Sequence, residues 1–431
     1  MLVTIAGAYR GVAVAASSGG GGGASTDLLT LNVANDGTPG YIYWDYDSDY
    51  AGAFRLPNGD AYGSETANDF FYTDFPAIGM GSTSGHLFVV GRDIGGTSIT
   101  ETFAEVSIPT LSTSATMSSL NIASVTQNFV NIRTLAPLDT GTWDNGINIA
   151  SVNNIDGRLF ITAHPYYDSV DHPLLVVDDP SDLAGSDWHG FFNTTNQHRS
   201  AGWATPIPAE FQSDLGGDTL FGYSMAGTRA ILSRFSMGPS AYVYDSATAL
   251  PSDGGTVTMV PVLDYPAGAN GLTAEADLGD SGTMWTYCSG GEIGFIVPGT
   301  RTYMVIGFSA GHATGAQYWD PTPPWGDFKG YGPIEEYDAD NHYWLYDVDD
   351  LIDVKNGVIT NAYEPVPYEH GVFDSRYNGG SGWNSCRKIV GGALDSANGK
   401  LYLSYARADA TQSGESSLPL IICYDISGIA A

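Results

Sequence analysis

The apolar positions of this chain fall in short runs, each broken by a glycine-centred turn and resumed on its far side, and this unit recurs along most of the sequence. It reads FPAIGMGSTSG-HLFVVGRD, ending at Asp93, then INIASVNNIDG-RLFITAH, ending at His164, then LFGYSMAG-TRAILSR, ending at Arg234. It continues as EIGFIVPG-TRTYMVIGF, ending at Phe308, and IVGGALDSANG-KLYLSYAR, ending at Arg407. The turn glycines are Gly85, Gly157, Gly227, Gly299 and Gly399, at successive spacings of 72, 70, 72 and 100 residues. Short runs rich in β-branched and aromatic residues, bounded by Gly, Asn and Asp, predict β-hairpins. Self-similarity at a fixed period predicts a repeat architecture. An insertion from Gly311 to Asn341 accounts for the long spacing.

Two further features keep the same register. An aromatic residue precedes the turn glycine at Phe71, Trp143, Trp285 and Trp383. A third apolar run follows each hairpin: TETFAEVSI, LLVVDD, AYVYD, YWLYDV and LIICYDI, and a fourth follows in most units, as in GTVTMVPVL. Four strands per unit and five units predict an all-β, five-bladed β-propeller. The fifth unit lacks a fourth strand of its own, so an N-terminal strand is expected to close the ring, with DLLTLNV (Asp27 to Val33) as the candidate. Closure removes the open edges that a linear array would leave. A six-bladed ring using residues 34–70 is the alternative.

Composition agrees with this reading. Charged residues are only 15% of the chain, whereas Gly (55) and Tyr (26) are abundant, which suits short strands and turns. The formal net charge of −32, with 4 Lys and 12 Arg, excludes a nucleic-acid partner, because no basic stripe exists to neutralise phosphates. No apolar run approaches the ~18–20 residues of a transmembrane helix, so membrane insertion is not expected. Cys288 and Cys386 each follow their repeat Trp by three residues in neighbouring units, which suggests a disulfide between blades. Cys423 lies within a third strand and is expected in the core.

The chain opens MLVTIAGAYRGVAVAASSGGGGGAS, with no basic n-region and with Gly7, Tyr9 and Gly11 interrupting its apolar residues, so it reads as a retained segment rather than a cleaved signal. Residues 1–16 are then an anchoring segment, 17–26 a flexible Gly/Ser linker, and 27–431 the propeller. This layout of short anchor, Gly linker and large distal β-domain resembles bacteriophage tail and tail-fibre proteins. The resemblance implies that residues 1–16 contact other virion or assembly proteins, that the propeller faces a host surface glycan, and that the protein resides in the virion tail. An extracellular location is the alternative.

Candidate chemistry gathers where the second strands end, since those loops converge on one face of a propeller. They carry Arg92 with Asp93, His164, Arg234, and Arg407 with Asp409, while the fourth unit offers the insertion beginning at His312. Arg supplies planar paired donors for carboxylate or sulfate groups. Tyr166, Tyr167, Trp319, Trp325 and Tyr331, on the same loops, offer faces on which sugars stack. The same Arg and Asp residues also suit a plain ion-pair network around a watery channel. Asp45, Asp47 and Asp49 in WDYDSDY alternate in the manner of hard-cation ligands such as those of Ca²⁺, without the Gly and distal Glu of an EF-hand loop. No other cofactor motif occurs.

Three functions follow as expectations. The first is an assembly-attached glycan-recognition propeller of tail-fibre type. The second is a secreted enzyme cleaving acidic polysaccharide. As a hydrolase it would draw on Asp74, Asp218 or Glu292 as paired carboxylates; as a lyase it would use His164 as base beside the arginines. The third is an architectural decoration protein without a ligand. The sequence commits no residue to catalysis.

Overall fold

The computed structural model describes residues 27–31, 39–57, 70–71, 77–92, 102–132, 147–165, 172–185, 188–223, 236–266, 272, 284–319, 330–375, 377, 386–411, 418–427 and 429. They form five antiparallel blades in a ring, with few helices. Blade 1 runs through Ile78–Met80, His86–Arg92, Thr102–Ser107 and Ser124–Asn131. Blade 2 comprises Ile147–Ile155, Arg158–Pro165, Leu174–Val177 and Trp188–Thr194, and Thr256–Val257 adds in parallel to its rim. Blade 3 comprises Ala204–Pro206, Thr219–Phe221, Ala241–Tyr244 and Val260–Leu263. Blade 4 comprises Gly290–Ile296, Thr302–Ala310, Ala339–Asp347 and Glu369–Val372. Blade 5 comprises Ile389–Asp395, Lys400–Tyr405, Leu420–Asp425 and, from the N-terminal region, Tyr50–Arg55.

Five buried clusters fill the five seams between neighbouring blades. Phe88 and Val90 of blade 1 meet Val152 and Ile161 of blade 2. Phe160 and Val176 meet Phe221 and Tyr242 across the next seam. Leu220 and Val243 meet Val305 and Trp344, then Met304 and Leu345 meet Leu403 and Ile422. Tyr402 and Ile421 meet Leu87 and Val89, returning to blade 1. Successive residues of a strand point to opposite faces, so Val305 enters one seam and Met304 and Ile306 the other. Both faces of every blade are thereby buried, which explains why the strands read as continuous apolar runs rather than as alternating ones.

Four of the five hairpins sit where the turn glycines place them. Gly85, Gly157, Gly299 and Gly399 all have positive φ, between 59° and 83°, a region that favours glycine. Blade 3 differs. Its first two strands are joined by residues 207–218, which carry helix α1 (Ala209–Leu215), so Leu220 and Phe221 belong to the second strand and not the first. Gly227 lies outside the described residues.

An N-terminal strand closes the ring, as expected, but the segment is Tyr50–Arg55 rather than Asp27 to Val33. Leu28–Thr30 instead pairs in parallel with Tyr41–Tyr43 and straps the blade 4–5 seam. Its backbone is taken up by blade 4: Leu29 N donates to Thr302 Oγ1 (2.8 Å), Leu31 N to Glu369 Oε1 (2.9 Å), and Tyr368 Oη to Leu29 O (2.7 Å). With 41–43 and 50–55 used in this way, the described residues form five blades and no sixth.

The expected disulfide is absent. Cys288 and Cys386 are free thiols, both packed among the aromatic and aliphatic side chains of the blade 3–4 seam. Cys423 is buried in the blade 5–1 seam, as its strand position predicts. No helix is long and apolar enough to cross a membrane, among the described residues.

Candidate functional site

The inner strands of blades 1, 2, 3 and 5 end around a cavity of about 470 Å³ on the side of the ring that carries the hairpin turns. Met80, Ile155, Pro206, Ala393 and Leu394 give it aliphatic walls. Its polar lining comes from Asn153, Asn154, Asp156, Thr205, Gln212, Asp218, Thr219, Ser246, Asp395 and Ser396. No described lining residue is basic.

These side chains are held from behind. Asn153 donates through Nδ2 to Ser151 Oγ (2.7 Å), which in turn donates to Gly202 O of the next blade. Asn153 as a whole is only 8% exposed. Asp218 accepts from Thr219 Oγ1 (2.9 Å), from Ser246 N (3.2 Å) and from Ser246 Oγ. Asp395, also 8% exposed, accepts from Asn398 N (3.1 Å) and Asn398 Nδ2 (2.8 Å). Asp156 is exposed at the turn of blade 2 in the left-handed region (φ 49°). Thr205 Oγ1 donates to Gly294 O (2.8 Å), tying the lining to blade 4. Three carboxylates from three blades thus face one cavity, and the bonds they accept come from neutral donors.

The sequence pointed to the opposite end of the channel. Arg92 ends its second strand and His164 is the last residue but one of its own, with backbones paired to Phe70 and Asn148. Trp319 lies on the insertion, paired with Gly330 in a hairpin of Ala316–Trp319 and Gly330–Pro333. Asp93, Tyr166, Tyr167, Arg234, Trp325 and Asp74 lie outside the described residues. Arg407 occupies a left-handed backbone conformation (φ 51°) in the turn before Asp409.

Asp409 itself is fully buried and takes a structural role. Its Oδ2 accepts from Arg55 Nε (2.8 Å) and its Oδ1 from Thr411 N (3.0 Å) and Oγ1 (2.6 Å). Its partner, Arg55, is none of the arginines that the sequence singled out. Glu292 is the extra residue of a β-bulge on the innermost strand of blade 4. Asp218 lies at the turn-side cavity, just before the second strand of blade 3.

His312 stands at the neck of the insertion. Its ring stacks on His342 at 4.7 Å, and its Nε2 is 2.6 Å from Ser309 Oγ. His342 Nε2 lies 3.4 Å from His370 Nδ1, completing a ladder of three histidines across blade 4. Burial, then the neighbouring His312 and His370, hold His342 well below the usual histidine range. Asp338 shapes the neck by accepting from Ala313 N, Thr314 N and Thr314 Oγ1.

In the WDYDSDY turn, Asp45 Oδ1 accepts from the backbone N–H of Asp47 (3.2 Å) and Ser48 (3.3 Å). Burial, then the neighbouring Asp45 and Asp425, push the Asp49 carboxyl up. Among the described residues no group of three His, Cys, Asp or Glu is arranged to hold a metal ion.

The cavity residues were missed because NNID and LDSAN precede turn glycines and read as turn formers alone. The available signal was their position: polar residues at the ends of the innermost strands, which line a propeller's axis.

No protein-family model and no curated protein matches the sequence. Solved structures do resemble it. A glycosyl hydrolase from Bacteroides ovatus is 12% identical, with 88% of this chain and 95% of that one covered, at a TM-score of 0.40. A GH43 β-xylosidase/α-arabinofuranosidase from a compost microbial metagenome is 10% identical, with coverages of 85% and 95% and a TM-score of 0.40. A structure from the GH130 family of mannoside phosphorylases, described with glycoside hydrolases that target β-1,2 mannosidic linkages in Candida mannan, is 13% identical, with coverages of 92% and 97% and a TM-score of 0.40. The three are glycosidase propellers and not phage tail proteins. The likeness lies in the ring of blades and assigns no residue a role.

Proposed function

We propose that this protein is a carbohydrate-binding β-propeller that takes a saccharide into the axial cavity on its turn side. The observation that supports this reading is a cavity that four blades line with amides, hydroxyls and carboxylates beside aliphatic walls. A saccharide is complementary, since it offers hydroxyl donors and acceptors around apolar C–H faces. The volume falls within the ~300–1,000 Å³ of small-molecule sites. An acidic polysaccharide would meet three carboxylates and no described base here, so the proposed ligand is neutral or cationic. The proposal does not include virion attachment, which concerns residues 1–16, outside the described residues.

Calorimetric titration with a panel of neutral and amino-bearing oligosaccharides tests the reading. Asn153→Ala and Asn154→Ala are expected to weaken the binding member about tenfold each, as loss of one or two hydrogen bonds to a buried ligand implies. Failure of every member to bind, or binding that neither substitution alters, overturns it.

A second reading, hydrolysis, is favoured by one observation: Asp156, Asp218 and Asp395 reach one cavity from three blades. Paired carboxylates across a glycosidic bond are the groups that glycosidases use as acid and base or nucleophile. Release of reducing ends, abolished in Asp218→Asn or Asp395→Asn, supports it; binding without release rejects it.

A further inference from the structure

We propose that the outer rim of blade 1, from Ser107 to Val130, is the surface through which two copies of this chain join as a two-fold dimer. The proposal is independent of the saccharide reading, since it concerns the rim of the ring and not its axis.

The first ground is charge. No Asp, Glu, Lys, Arg or His occurs in the 27 residues from Val106 to Ile132, the longest such run in the chain. The run is not interior: of residues 107–130 only Leu120 and Ala123 are buried. Ile122 is 48% exposed and Val125 39%. Two copies that each carry a net charge of −32 repel where their charged surfaces meet. A charge-free band lets them approach without that cost, and the centres of protein interfaces are depleted of charge in the same way. The nearest acids lie at the border with blade 2. There Gln127 Nε2 donates to Pro180 O (3.0 Å) and Leu183 N donates to Gln127 Oε1 (2.8 Å), which leaves Asp182 at the margin of the band.

The second ground is the edge itself. A strand at the edge of a sheet presents open backbone groups, and sheets guard such edges by cover, shortness, proline or charge. Four of the five outer strands are guarded in these ways. Thr256–Val257 covers that of blade 2. Val260–Leu263 of blade 3 is four residues long and contains Pro261. Glu369–Val372 of blade 4 is equally short and carries an acid. Tyr50–Arg55 of blade 5 is bridged by Ser112 and by Asn121 to Ala123. Ser124–Asn131 of blade 1 has eight residues, no proline and no charge, and it pairs only with Thr102–Ser107 among the described residues. Two register shifts, between Phe103 and Val106 on its partner, twist it, while Ser124 and Val125 remain regularly paired.

The third ground identifies the occupant. An antiparallel edge is its own complement, because a two-fold rotation sets its N–H groups against the C=O groups of the copy. Ser, Thr and Asn side chains, frequent in the band, both donate and accept, so like meets like without an unpaired group. Val125 and Ile122 add apolar contact. The extent fits as well, since 24 residues compare with the ~20–30 that each partner contributes to a stable interface. A basic partner would be drawn to the acidic surface elsewhere on the chain and not to a neutral band.

Sedimentation velocity of the full chain, from about 1 to 100 µM protein, tests the proposal. A species of twice the chain's mass is expected, with a dissociation constant that falls between about 0.15 M and 0.5 M salt as the remaining repulsion is screened. Val125→Glu and Ile122→Glu each bring two like charges into the symmetric contact and are expected to weaken the dimer at least tenfold. Both positions are exposed, so thermal melts of the variants should match the parent. Val358→Glu, at a 71% exposed position between the last two strands of blade 4, adds the same charge outside the band and is expected to leave the constant unchanged. A single species of one chain's mass at about 100 µM overturns the proposal. A dimer that the two band substitutions leave intact, or that Val358→Glu weakens equally, overturns it too, because the contact then lies elsewhere or responds to net charge alone. Growth beyond two copies also overturns it, since a two-fold contact closes on itself.

Discussion

Arg55 Nε donates to Asp409 Oδ2 at 2.8 Å, and this bond joins the strand that closes the ring to the loop that follows the second strand of the same blade. Arg55 Nη2 reaches Thr411 Oγ1 as well, so one guanidinium holds both ends of that loop's first turn. The two partners lie 354 positions apart in the chain, and the Asp409 side chain is wholly enclosed.

Breaking this pair leaves a charge without its partner, and removal of one member of a buried pair costs about 3–5 kcal/mol. Asp409→Ala is expected at the lower end, because Arg55 retains 15% exposure and partial access to water. Arg55→Met with Asp409→Leu should cost less than the sum of the single changes, revealing the coupling. Urea unfolding of the two single variants and the double variant measures this. Additive losses would show that the pair does not act as a unit.

Two glycines separate steric from conformational demand. A Cβ on Gly79, in the inner strand of blade 1, would stand 1.6 Å from Val152 O of blade 2. Gly79→Ala is therefore expected to force the inner strands apart, at a cost of about 2–3 kcal/mol or more. Gly157, at the turn of blade 2, has nothing within 4 Å of its would-be Cβ but holds φ at +76°. Gly157→Ala should cost about 1 kcal/mol from backbone strain alone, and Gly157→Asn less. Thermal melts of the three variants rank them, and a Gly79→Ala melt as mild as that of Gly157→Asn contradicts the close approach.

The contrast shows which parts of the fold were legible. Hairpins turning on Gly85, Gly157, Gly299 and Gly399 were readable because a positive-φ residue between apolar runs leaves a mark in sequence. Blade 3 was not, because α1 and the Gly216–Gly217 end replace the tight turn, and its inner strand, Ala204–Pro206, is three residues long. The closing strand was misassigned for a different reason. DLLTLNV looks more strand-like than YAGAFR, yet which edge a strand joins is decided by tertiary contacts. Glu369, Thr302 and Tyr368 capture the backbone of Leu28–Thr30 and Leu31, and nothing near residue 30 announces residues some 270 to 340 positions away. The turn-side cavity was hidden because its polar residues double as turn formers, whereas the loops at the other face attracted attention through Arg and His.

The thiols give a chemical check on the seams. Cys288, Cys386 and Cys423 are all free and buried, and burial pushes the Cys386 and Cys423 thiols up to about 12. The reactive species is the thiolate. Native protein at pH 8 is therefore expected to react negligibly with a thiol-specific disulfide reagent over minutes, and denatured protein to titrate all three thiols without prior reduction. A single thiol after denaturation would restore the bridge between Cys288 and Cys386 and contradict the seam described here.

Two groups bend the pH dependence of stability in opposite directions. Asp350, in the first turn of α2 (Val348–Lys355), is pushed up to about 6 by burial and then by Asp347, Asp353 and Asp349, with Arg301 opposing. Between pH 3.8 and about 6 the native state keeps a proton that the unfolded chain has released, so stability falls as pH rises through that window. Asp350→Asn removes this penalty and should stabilise the protein at pH 7 by less than about 1 kcal/mol, given the group's partial exposure, while leaving it unchanged near pH 3.5. His342 acts with the other sign. Its native value lies well below 6.5, so below pH 6.5 the unfolded chain gains a proton that the native state refuses, and stability falls as pH drops. His342→Phe, with the ring still packed between His312, Trp344 and His370, should flatten that fall relative to the parent chain. Urea midpoints measured from pH 4 to 7.5 for the parent and both variants separate the two effects. Parallel curves for the parent and His342→Phe would place the acid sensitivity elsewhere, in the carboxylates held by hydrogen bonds such as Glu105, whose bonds from Ser82 and Gln127 outweigh its burial and keep it below the usual range.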